Sequence, residues 1–102
     1  MISKKLFKEV MGEEQMYSCL NIETNEIELD ENINIYELAH KCKEWAMLQC
    51  VSGYIFSKYI NFTTYQQWQV VVAIDEKTAE FTADTEPESI FKACEWILKD
   101  EK

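Results

Sequence analysis

Apolar residues recur along the chain at two periods, and each switch from one to the other marks an element boundary. From Ser3 to Met11, Leu6, Phe7, Val10 and Met11 fall on one side, Ser3 can cap the start and Gly12 stands where helices commonly stop, so a short helix is predicted. Met16 to Ile22 then alternates, and Ile27 and Leu29 alternate with Glu26, Glu28 and Asp30. This reads as two antiparallel strands joined through Glu23-Thr24-Asn25, the second half exposed. Asn34 opens a second helix, with Glu37 completing a variant of the capping box. Ile35, Leu38, Ala39, Cys42, Trp45, Ala46 and Gln49 share one of its faces, which carries it to about residue 49 by the helical repeat.

Between Ser52 and Ala83 the period becomes two. Tyr54, Phe56, Ile60 and Phe62 lie on one face of a strand, with Ile55 and Tyr59 on the other; Trp68, Val70, Val72 and Ile74 follow, opposed by Val71 and Ala73. Apolar residues on both faces predict a central position in the sheet. The turn Asp75-Glu76-Lys77-Thr78 leads to a third strand with Ala79, Phe81 and Ala83 inward and Glu80 and Thr82 outward. The final helix starts near residue 86: Thr85 and Glu88 form a capping box and Pro87 suits a first turn. Ile90, Phe91, Cys94, Ile97 and Leu98 form its stripe, flanked by Ala93 and Trp96. Residues 1–102 thus read as one α+β domain: an antiparallel β-sheet of about four or five strands, two main helices packed on it and a short N-terminal helix.

Composition supports a packed globule, with 47% hydrophobic residues, only two Gly and one Pro in 102 residues. Nineteen acidic residues against ten basic ones give a net charge of −9, which argues against direct nucleic-acid binding and is compatible with a basic protein partner. The four cysteines show no CxxC spacing and the one histidine is His40, so zinc is not expected; Cys42 and Cys94 sit on helix stripes as small hydrophobes. No signal peptide or long apolar run is seen, and a cytoplasmic location in a host cell, away from membranes, is the expectation.

Patterns that imitate chemistry break down on inspection. Asp30, Asn32 and Asn34 match the first three ligands of an EF-hand loop, but Ile35 replaces the glycine and Lys41 the bidentate glutamate. His40 reaches positions 36, 37, 43 and 44, while Cys42 lies about 200° around the helix, so no Cys–His pair forms there. No Gly-rich loop, GxSxG or HExxH is present; an enzyme is not expected, nor any cofactor or metal. Helix, three strands and helix from residue 34 is also the order of a double-stranded-RNA-binding domain, but Asp84-Thr85-Glu86-Pro87-Glu88 would repel a phosphate where such domains grip one. The aromatic run Tyr54, Phe56, Tyr59, Phe62, Tyr65 and Trp68 is the best candidate for a binding surface. Phe56 and Trp68 are expected under a helix, and Tyr59, Tyr65 and the Gln66-Gln67 tip in solvent.

The segments KLFKEVMG, INIYELAHKCKEWA and ADTEPESIFKACEWIL resemble the small phage and prophage proteins grouped as phage ABA-sandwich domain proteins. The resemblance implies a phage or mobile-element origin, an αβα layered fold and no established activity or site residues. With the acidic balance, it leads to the expectation of a non-enzymatic accessory protein that binds a host or phage protein. A basic nucleic-acid-handling complex is one such partner, and the role would be that of an anti-defence, anti-CRISPR-type inhibitor. The partner-binding residues expected are Glu26, Glu28, Asp30, Glu31, Tyr59 and Tyr65. Two alternatives stay open, a binder or sponge for a nucleotide signal and a self-associating structural phage protein; the first would need convergent cations, of which Lys4-Lys5 and Lys41-Lys43 are the only clusters.

Overall fold

The computed structural model describes residues 2–29, 33–49, 54–61, 66–74 and 77–100. In chain order these form helix α1 (Lys4–Met11), helix α2 (Glu13–Ser18), strands β1 (Leu20–Asn21) and β2 (Glu26–Ile27), helix α3 (Ile35–Gln49), strands β3 (Tyr54–Asn61), β4 (Gln66–Ile74) and β5 (Lys77–Ala83), and helix α4 (Glu86–Asp100).

The helix starts follow the capping residues. Ser3 Oγ accepts from the Leu6 N–H at 3.1 Å, Asn34 Oδ1 accepts from Tyr36 and Glu37, and Thr85 Oγ1 accepts from Glu88 at 3.4 Å. Gly12 ends α1 at φ +96°, its N–H returning to Lys8 O. The same glycine begins α2, so the two helices share one residue as their joint.

Here the structure departs from the sequence expectation. Residues 16–18 of the predicted first strand belong to a helix that begins at Glu13, and the strand portion is two residues long. Met16, Leu20 and Ile22 fit an alternation, whereas Met16, Cys19 and Leu20 fit a helix turn. The fold uses the helical spacing: Met16 and Cys19 are buried, whereas Ile22 is left 90% exposed in the turn. That turn is held by Asn21, whose Oδ1 accepts from Glu23 and Thr24, and it closes through Asn25 at φ +59°, a conformation that Asn tolerates. β1 and β2 then pair only with each other, so the described strands form two antiparallel sheets of two and three strands instead of one of four or five.

In the larger sheet β4 is central and β3 and β5 are the edges, with Phe56, Val71 and Glu80 in one row across it. Even-numbered Val70 and Val72 face the helices and are fully buried, and Ile55 in β3 is buried on the same side. α4 lies over β4 and β5 and α3 beside it toward β3; α1 packs on α3, α4 and β2. A shortest dimension of 20 Å leaves room for about two layers at ~10 Å spacing. The αβα layering that the resemblance implies is not formed by the described helices, because α3 and α4 cover the same sheet face. α4 is buried on several sides through Ile90, Phe91, Ala93, Cys94, Ile97 and Leu98. Small residues let it approach α3 closely, and the Cys94 thiol donates to Cys42 O at 3.4 Å.

Two polar ties fix the elements. Ser3 Oγ donates to Glu95 Oε1 at 2.7 Å, docking α1 on α4. Ser57 Oγ donates to Glu86 Oε2 at 2.6 Å and accepts from Lys43 Nζ at 3.3 Å, joining β3 to the start of α4 and the middle of α3.

Candidate protein-interaction surface

The alternation of β3, β4 and β5 sends Tyr54, Phe56 and Lys58, then Gln69, Val71 and Ala73, then Thr78, Glu80 and Thr82 to the face away from the helices. Phe56 was expected beneath a helix; it is on this uncovered face, 41% exposed, because Ile55 and not Phe56 takes the core position. Tyr54 is 52% exposed and stacks on it, with ring centroids 5.6 Å apart and planes 21° from parallel. Val71 beside Phe56 is buried. The centre is therefore aromatic and aliphatic and its borders polar, the anatomy of a protein contact surface. Gln69 Nε2 donates to Glu80 Oε2 at 3.0 Å on the β5 side, and Lys58 stands on the β3 side with no ion-pair partner among the described residues.

The residues expected to bind a partner are dispersed. Glu26 is exposed in β2 and lines a groove of about 460 Å³ with Ile2, Ser3, Lys4, Asn25 and Glu95. Glu28 follows on the same hairpin, exposed, accepting from Asn21 Nδ2 at 2.7 Å. Tyr59 belongs to the other sheet, on the helix-facing side where the cover runs out; it is 47% exposed and lies against Trp68 at 5.3 Å. Asp30, Glu31 and Tyr65 lie outside the described residues, as do Asp30 and Asn32 of the EF-hand imitation, while Asn34 serves as the α3 cap. Thus the structure joins Glu26 with Glu28 and sets Tyr59 apart.

A signal for the uncovered face is present in the sequence: all 19 acidic residues lie outside residues 45–74, a stretch whose one charged residue is Lys58. Counting charge over the whole chain hides this segregation.

The Lys43–Ser57–Glu86 chain, also missed, has the residue types of a reactive serine. Its hydroxyl is committed on both sides, however, donating to a carboxylate and accepting from an ammonium, which makes it a tie between elements. The groove at Glu26 combines one ammonium, on Lys4, with the carboxylates of Glu26 and Glu95, and Lys4 Nζ is already engaged by Asn25 Oδ1 at 2.7 Å. That is the wrong balance for a phosphate-bearing ligand. Among the described residues no group of three or more His, Cys, Asp or Glu is placed to hold a metal ion, and no helix is long and apolar enough to cross a membrane. Comparison with family models, curated proteins and solved structures finds no match to this chain. The fold and site define a small α+β domain with one open, aromatic sheet face.

Proposed function

We propose that this protein is a non-enzymatic protein-binding module whose contact surface is the uncovered face of the β3–β4–β5 sheet. The observation that carries the reading is the exposed Tyr54–Phe56 stack beside Val71, in the acid-free part of an otherwise acidic chain. Exposed aromatic clusters with a polar border are where binding energy concentrates in protein contacts. The acidic remainder favours basic partners by charge complementarity. With the resemblance to small phage proteins, this extends the reading to an accessory protein that occupies a host or phage complex which handles nucleic acid, an anti-defence role.

Affinity capture from host lysate tests it with two variants, Phe56→Asp on the sheet face and the pair Glu26→Lys/Glu28→Lys on the hairpin. Loss of the captured protein with Phe56→Asp, and retention with the hairpin pair, is the expected result. Retention with Phe56→Asp and loss with the hairpin pair would move the contact to the acidic hairpin.

A further inference from the structure

We infer that the polypeptide seated on the open sheet face is a second copy of this chain, packed face to face about a two-fold axis parallel to the strands. This rests on the reading of that face as a protein contact surface and names its occupant in the purified protein, a copy that a host or phage protein would displace.

The first argument is charge. In a molecule of net charge −9, the open face carries one acid, Glu80 on edge strand β5, and one base, Lys58 on edge strand β3, so it is neutral among the described residues. Two copies that meet there keep their acidic surfaces apart; other approaches bring like charges together.

The second argument is self-complementarity, and it selects the axis. A two-fold axis along the strands lays β4 on the partner's β4 and each β3 on the partner's β5. The row Phe56, Val71, Glu80 then meets its mate in reverse order, so Val71 lies opposite Val71 and each Phe56 opposite the partner copy's Glu80. Lys58 lies one outward-facing row from the row of Phe56, Val71 and Glu80, about 7 Å at strand spacing, within reach of an extended lysine. Each Lys58 therefore meets the partner's Glu80, twice in the dimer. An axis across the strands through the Val71 row would instead place β5 on β5 and set the two Glu80 carboxylates near one another. Sheets packed face to face cross at about 30° with ~10 Å between them, a gap that Tyr54, Phe56 and Val71 are of a size to fill.

The mass of the purified chain, measured by sedimentation equilibrium from micromolar to millimolar concentration, tests the pairing. Twice 12.1 kDa is expected for the wild type. Phe56→Asp should weaken the dimer by at least about tenfold, as loss of a central aromatic does. Lys58→Glu should also weaken it, and Lys58→Glu combined with Glu80→Lys should restore it, a rescue that generalised surface damage would not give. Circular dichroism melts confirm that each variant is folded; all three positions lie on the open face. A mass of 12.1 kDa throughout overturns the pairing, and the contact-surface reading then survives if lysate capture still depends on Phe56. A dimer indifferent to Phe56→Asp overturns the assignment of this face. A dimer that the charge swap fails to restore overturns the strand-parallel axis.

Discussion

Phe91 and Trp96 occupy the same helix, and sequence spacing alone gives them similar weight. In the structure Phe91 is 1% exposed, whereas Trp96 is half-buried and leans on Phe81 with ring centroids 6.1 Å apart. Phe91→Ala is expected to cost about 3–5 kcal/mol and Trp96→Ala roughly 1–3 kcal/mol, since part of the indole is already in water. Urea denaturation of the two variants reads the difference. Gly12 makes a second case. An added Cβ there meets nothing within 4 Å, but φ +96° with ψ 161° is a conformation open essentially to glycine alone. Gly12→Ala should therefore destabilise by about 1–3 kcal/mol through backbone strain, with no steric contribution. The role of Gly12 as a helix stop was legible in the sequence, because glycine after an apolar helical stripe has a specific backbone meaning. Its second role, as the start of α2, was not, because that helix is too short to show a period.

Elements whose ends are written in side-chain chemistry were readable: Ser3, Asn34 and Thr85 cap the helices they were expected to cap. What failed was the assignment of Met16 to Ile22, where seven residues satisfy two periods and only tertiary burial of Met16 and Cys19 decides between them. β3 and β4 were found from their alternation. Which of their faces meets the helices was not legible, because apolar residues stand on both, and Ile55 and Phe56 compete for the core on nearly equal hydrophobic terms. The Ser57 tie depends on residues 14 and 29 positions away in sequence, which local reading cannot connect. Ser57→Ala removes both of its hydrogen bonds and leaves Lys43 and Glu86 to solvent; a loss of about 1–2 kcal/mol is expected, with α4 fraying at its start in hydrogen exchange.

At the scale of the molecule, the helical layer holds the main core and the open sheet face lies outside it. Substitutions there should separate association from stability: Phe56→Asp, at a site 41% exposed, is expected to cost the monomer about 1–2 kcal/mol, well short of Phe91→Ala, while abolishing partner contact. The sequence reading looked for the binding surface in the aromatic run from Tyr54 to Trp68 and in the acids Glu26, Glu28, Asp30 and Glu31, but it placed Phe56 under a helix and chose Tyr59 and Tyr65 as the exposed aromatics. The structure directs attention to where charge is missing. Uneven distribution along 102 residues becomes a difference between surfaces only once β3 and β4 are folded against each other.

The same segregation has a consequence before folding. In the unfolded chain, residues 45–74 are a β-prone, nearly uncharged run that includes Val70-Val71-Val72, bounded on both sides by all of the acids. Those flanks act as gatekeepers, holding unfolded chains apart by repulsion across a distance of about 10 Å in 0.1 M salt. Refolding from denaturant should accordingly give high yield at low ionic strength and progressively more aggregate as salt is added, measured by light scattering. Moving a single acid into the run, as Gln69→Glu would, should widen the range of salt over which the protein returns to its native state.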